Sequence, residues 1–181
     1  MFSGYFARGA VAIGLLVMDT VEIVPITHDH IDGFHRTLDF VARERRYLAF
    51  LEAPPIEATR AFVLDNIKRR CPQYVAVLAG QVVGWCDVTT KERPVHLHSG
   101  VLGMGLLPPF RGRGIGTDLI RSVLAAARTA GLHRVELTVR EANIGAIGLY
   151  RKVGFEVEGL HRDAVQVDGV YENVVSMAVL F

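Results

Sequence analysis

The stretch Leu106-Leu107-Pro108-Pro109-Phe110-Arg111-Gly112-Arg113-Gly114-Ile115-Gly116 runs straight into a helical pattern from Thr117 to Ala130. It reads as a strand ending in a basic, glycine-rich loop that opens a helix. Glycines let a backbone turn tightly and approach a ligand without interference from Cβ. Several N–H groups and the positive end of the helix dipole then converge on one point. That is a site for a phosphorylated ligand, with Arg111 and Arg113 adding positive charge.

Two familiar phosphate loops fit poorly. A Walker A loop needs a Gly-Lys-Ser/Thr ending, which is absent. A dinucleotide fingerprint needs a last glycine where, counted from Gly114, Leu119 stands. Glu136 lies about twenty residues beyond the loop, as a ribose-binding acid would. It falls in mid-strand, however, where the fingerprint wants a strand end.

Working outward, Val21 to Ile26 alternates weakly as a strand. Asp29 is placed to cap a helix running to about Arg46, with Ile31, Phe34, Leu38 and Val41 at helical spacing. The segment 48–55 breaks it, and Pro54-Pro55 leads a second helix over Ile56 to Arg69. Tyr74–Leu78 and Val82–Thr89 read as a hairpin around Ala79-Gly80-Gln81. His96 to Leu106 is a strand interrupted by Gly100, Gly103 and Gly105, which suggests a bulge or close approach by a ligand. Gly131 ends the helix after the loop. Val135, Leu137 and Val139 alternate in the next strand. Asn143 caps a short helix that Gly154 ends. Asp168-Gly169 then turns a hairpin between Phe155–Val167 and Val170–Leu180. The order β-α-α-β-β-β-α-β-α-β-β makes a single α/β (α+β) domain with helices on a mixed sheet.

The chain has 181 residues and a net charge of +1, so no field across the whole molecule favours nucleic acid. Cys71 and Cys86 are too few for a disulfide framework, belong to no metal-type Cys/His spacing, and fit a reducing, cytoplasmic compartment. Gly9 to Met18 is mostly apolar but too short to span a bilayer, and no cleavage pattern follows it. Residues 1–17 read as an N-terminal extension of uncertain status, with an extra strand or interface segment as the rival reading. The domain is expected over 18–181.

A second block lies downstream: Leu137-Thr138-Val139-Arg140-Glu141-Ala142-Asn143-Ile144-Gly145-Ala146-Ile147-Gly148-Leu149-Tyr150-Arg151-Lys152-Val153-Gly154-Phe155. Asn143 and Tyr150 stand two helical turns apart and face the same way. Ala146 between them leaves room for a ligand. Together the blocks resemble the GNAT superfamily of N-acetyltransferases. Arg111, Gly114 and Gly116 match its Arg/Gln-x-x-Gly-x-Gly/Ala signature, and the second block matches its Asn…Ala…Leu-Tyr…Gly-Phe segment. The pattern is most similar to small-molecule acetyltransferases of the phosphinothricin type.

The resemblance implies a mostly antiparallel sheet of about six or seven strands flanked by about four helices. It implies a splay between the strands at 96–106 and 134–140, where the pantetheine of acetyl-CoA lies. The implied cofactor contacts are Gly105, Leu106, Arg111, Gly112, Arg113, Gly114, Ile115, Gly116, Thr117, Asn143, Ala146 and Tyr150, with no metal. The implied reaction is acetyl transfer from acetyl-CoA, as co-substrate, to a primary amine of a small molecule or peptide, in a ternary complex. Homodimerisation follows from the resemblance alone, and neither nucleic acid nor membrane is an expected partner. A non-catalytic acyl-CoA-binding module of the same fold is one alternative. A dinucleotide-binding oxidoreductase using Glu136 is another.

The chemistry needs an acid for the leaving thiolate, and family members use a tyrosine at the position of Tyr150. It also needs a base, because a primary ammonium has a pKa of about 10.4. Relatives that acetylate protein N-termini carry Glu where this chain has Thr138, which weakens that acceptor class. The strand before the glycine loop has no carboxylate; its titratable groups are His96 and His98, His98 being a conceivable relay. The candidate carboxylates are Glu52, in a loop that lines the acceptor side in this family, and Asp87, beside Trp85 on a central strand.

Overall fold

The computed structural model describes residues 20–181. The expectation for residues 1–17 lies outside that range. Seven strands form one sheet: β1 (Glu22–Pro25), β2 (Gln73–Leu78), β3 (Gln81–Thr90), β4 (Ser99–Leu106), β5 (Arg134–Arg140), β6 (Glu156–Val167) and β7 (Val170–Leu180). Their order across the sheet is β1-β2-β3-β4-β5-β7-β6. Four helices flank it: α1 (Ile31–Arg43), α2 (Ile56–Arg69), α3 (Ile115–Thr129) and α4 (Ile144–Lys152).

The two faces bury separate clusters. Ile31, Phe34 and Val41 of α1 and Val63 of α2 close over Val75, Val82 and Trp85. Leu119, Ile120 and Val123 of α3, with Ile147 and Tyr150 of α4, close over Cys86, Val88, Leu102, Val135 and Leu137. Cys86 and Trp85 are neighbours on β3 and point to opposite clusters, as strand alternation requires.

All neighbouring strands pair antiparallel except β4 and β5. That parallel pair is short: Ser99↔Arg134, Gly100↔Val135 and Val101↔Glu136. Beyond it, β4 stays with β3 as far as Leu106, while β5 stays with β7 as far as Arg140. A gap therefore opens toward the carboxyl ends of β4 and β5. Alternate backbone groups of Leu102–Leu106 face it without a strand partner. The expected splay is there.

Three boundaries differ from the sequence reading. Asp29 is not the cap of α1: it sits inside a short 3-10 turn, His28–His30, entered through Thr27. Thr27 N–H donates to Nδ1 of His30 at 3.0 Å, so this pair closes the turn instead. Helix α1 stops at Arg43 rather than about Arg46, and Arg45 takes a left-handed φ of 57°. The cause is tertiary: the buried Arg140 guanidinium draws in the carbonyls of Arg45 and Leu48. Strand β4 begins at Ser99, because Pro94–His96 forms a 3-10 turn with proline at its start.

Candidate active site

The glycine loop joins β4 to α3. Gly112 and Gly114 take φ of +70° and +89°, a region costly for any residue with a Cβ. This curls the backbone so that successive amides turn inward. The amides of residues 112–116 donate to no backbone acceptor among the described residues, while Thr117 and Asp118 already donate to the Gly114 carbonyl. The result is a nest of free N–H groups at the start of a fifteen-residue helix. It fits the pyrophosphate of a CoA thioester.

The arginines of the loop divide their work. Arg113 is exposed, reaches the Pro109 carbonyl only at 3.5 Å and lies 5.8 Å from the Phe110 ring centre. It is placed to meet phosphate. Arg111 is committed to the protein. It makes a two-pronged pair with Glu44, donates Nε to the Leu106 carbonyl at 2.8 Å, and lies 4.8 Å over the Tyr47 ring. Its match to the family signature thus corresponds to a brace between the loop and the segment after α1.

Helix α4 enters the other side of the gap. The Asn143 side-chain oxygen accepts from Ala146 N at 3.2 Å, leaving Nδ2 as its free donor group. Tyr150 is buried against Phe155, at 5.8 Å between ring centres. Burial raises its phenol above the usual range, and nearby Cys86 adds to the effect. The phenol is therefore a neutral O–H donor at any physiological pH.

On the opposite face, Gly105 and Gly103 let side chains of β3 lie over β4. A Cβ on Gly105 would lie 2.3 Å from the Trp85 ring, so the indole occupies that place. A Cβ on Gly103 would stand 3.5 Å from Asp87 Oδ1, an ordinary contact. The Asp87 carboxyl thus lies buried over Gly103, on the strand that borders the gap. Burial raises its pKa to about 7, against a weak opposing effect of the Thr89 hydroxyl at 3.4 Å. Such a carboxyl is poised to exchange a proton near neutrality.

The remaining candidates stand elsewhere. Glu52 lies in the α1–α2 segment, with its side chain 70% exposed and 3.3 Å from Arg43. It lines a shallow groove with Arg43, Arg45 and Leu51. The ring of His98 is 6.4 Å from that of His133, at the closed end of the β4–β5 pair. His96 lies in the turn before β4. Glu136 is held by Lys91 and Arg134, so it is not free to bind a ribose.

Sequence reading missed the groups that fasten the segment between α1 and α2. Arg140 is 5% exposed and donates to the carbonyls of Arg45 (2.8 Å) and Leu48 (3.1 Å) and to Glu172 (3.2 Å). Arg45 in turn pairs with Asp168 at the β6–β7 turn. The one hint in the sequence is that Arg140 stands inside the second block, three residues before Asn143.

Residues 37–155 match the Acetyltransferase (GNAT) family, and the chain belongs to it. It is 32% identical over 107 residues to the L-amino acid N-acetyltransferase AaaT of Escherichia coli, covering 59% of this chain and 66% of that one. It is 37% identical over 90 residues to the N-alpha-acetyltransferase RimI of Mycobacterium tuberculosis, covering 50% and 55%. The chain therefore spans between half and two thirds of these relatives' length. A GNAT acetyltransferase of Streptococcus pneumoniae superposes with a TM-score of 0.84 at 22% identity, over 90% of this chain and all of the other. A phosphinothricin acetyltransferase from Sinorhizobium meliloti, solved with acetyl-CoA, gives 0.84 at 18% identity, over 90% and 89%. At these identities the superpositions establish the fold.

Proposed function

We propose that residues 18–181 transfer an acetyl group from acetyl-CoA to a primary amine by direct attack in a ternary complex. The observation that carries this is a pairing across β4. Asp87 faces Gly103 on one side of the sheet. Tyr150 packs on the other side, in the cluster that holds Cys86 and, at its margin, Met104, the partner of Cys86. A carboxyl near neutrality and a neutral phenol thus flank one level of the gap from opposite faces.

The glycine-loop amides and Arg113 hold the pyrophosphate, and pantetheine runs along the free edge of β4. The thioester then lies between the two groups. Asp87 takes a proton from the acceptor ammonium, and the freed amine attacks the carbonyl carbon. Backbone N–H groups near Gly105 and Leu106 receive the developing oxyanion. As the C–S bond breaks, Tyr150 gives its proton to sulfur and is reprotonated from solvent, while the nitrogen that has formed the amide loses its extra proton to solvent. The balance is one acetylated amine, one free thiol and one proton released. Glu52, exposed and paired, is assigned to the acceptor rim.

The acceptor is an α-amino acid or short peptide amine. Two named relatives act on amino acids or N-termini, and Asp87 suits an ammonium. Among the described residues no helix is long and apolar enough to cross a membrane. A cytoplasmic setting is the reading that two free cysteines favour, and homodimerisation rests on resemblance alone. The test is thiol release from acetyl-CoA on addition of single amines. Amine-dependent release supports the reading. Stabilisation by acetyl-CoA without release from any amine would mark a binding module instead.

A further inference from the structure

Behind Asp87 lies a buried polar row that no step above has used. Gln73 on β2 is opposite Asp87 in the β2–β3 register, so both side chains are on the α1–α2 face, with Cβ atoms about 5 Å apart. Gln73 is 3% exposed, and its Oε1 accepts from Nδ2 of Asn66 on α2 at 2.9 Å. Its Nε2 is sealed from solvent and donates to no acceptor among the described residues. Stranding such a donor is costly, and folded proteins keep few of them. Across the sheet the row reads Asn66, Gln73, Asp87, Gly103 and then the gap.

We propose that Gln73 is a positioning residue for Asp87: its Nε2 donates to the ionised carboxylate, and Asn66 fixes the amide so that this donor faces β3. The inference rests on Asp87 being the base. A carboxylate held from behind keeps one oxygen aimed over Gly103 at the incoming ammonium. A bond from this donor is stronger to the carboxylate than to the neutral acid, so it favours the basic form at the moment of proton transfer.

The other groups around Asp87 do not supply this. From β4, Val101, Gly103 and Gly105 present nothing ionisable. From α1 and α2, His35 is bonded to Thr59, and Arg69 is held on Thr90, Asp65 and Glu92. Lys91 and Glu136, beyond Val101, pair with each other. On β3 itself, Cys86 points to the opposite face and burial keeps its thiol neutral.

The test is the pH dependence of kcat/KM for an amine acceptor. Gln73→Met keeps the length and removes the donor. The acid limb should move up by about one pH unit, a tenfold loss on that limb, with acetyl-CoA binding unchanged. In an Asp87→Asn background the same substitution should add nothing. Gln73→Glu, which replaces the donor by an acceptor, should move the limb the same way and further. A limb left at its wild-type position in both variants overturns the proposal. Wild-type protein that releases no thiol would refute acetyl transfer itself. An Asp87→Asn enzyme that keeps the limb would refute Asp87 as base, and Gln73's role with it.

Discussion

At the residue scale, the site depends on two protonation states set by burial. Tyr150 is pushed up and stays neutral; Asp87 is pushed to about 7 and divides between its forms. An acid and a base that share one face would exchange protons with each other. On opposite faces of the sheet, each meets a different partner in the proposed reaction: sulfur for Tyr150, nitrogen for Asp87. Tyr150→Phe should therefore lower kcat by about a hundredfold or more, the usual range for a lost general acid, while the dissociation constant of acetyl-CoA stays within about twofold. Steady-state kinetics and a binding titration separate these. Unchanged kcat would remove the acid role. Tyr150 was legible as a candidate because helical spacing placed it with Asn143. Asp87 was legible only as a carboxylate near Trp85. Its value comes from Gly103, sixteen positions later, whose missing side chain leaves room beside it.

At the element scale, arginines fasten the segment between α1 and α2 to both halves of the site. Arg111 ties Glu44 and Tyr47 to the glycine loop, and Arg140 ties the carbonyls of Arg45 and Leu48 to the end of β5. Arg140→Met keeps the bulk but strands two carbonyls and Glu172. It should cost about 2–4 kcal/mol of stability. It should also raise KM for the amine more than KM for acetyl-CoA, because the freed segment is on the acceptor side. Denaturant unfolding and two KM measurements check this; equal effects on both substrates would contradict it. Helices α2, α3 and α4 and the Asp168-Gly169 turn followed from periodicity and turn chemistry, which are local. The end of α1 did not. Its pattern ran on to about Arg46, and a guanidinium nearly a hundred residues away stopped it at Arg43. Arg111 was matched to a phosphate motif, but its partner Glu44 stands 67 positions earlier and was invisible to local reading.

At the scale of the whole molecule, the buried Asp87 carboxyl costs stability. Asp87 binds its proton at about 7 in the fold against 3.8 ordinarily. The folded state therefore holds more protons between these values. Its contribution is fully present below the lower value and is lost as pH rises through the upper one. Asp87→Asn should raise Tm above wild type at pH 8 by several degrees, and the difference should shrink away near pH 4. Calorimetry at the two pH values decides it; an equal difference at both would contradict the buried, raised carboxyl. The same architecture explains why the donor half of the reaction was readable and the acceptor half was not. Acetyl-CoA meets a continuous loop and a helix end, both written in one run from Leu106 to Gly116. The proposed acceptor site draws on β3, β4 and the segment 44–55, brought together only by the sheet. The most direct measurement is thiol release from acetyl-CoA by the wild-type protein with a panel of α-amino acids and short peptides. The predicted result is release that depends on the amine and falls away on an acid limb near pH 7. Saturable acetyl-CoA binding with no amine-dependent release at any pH would contradict the account.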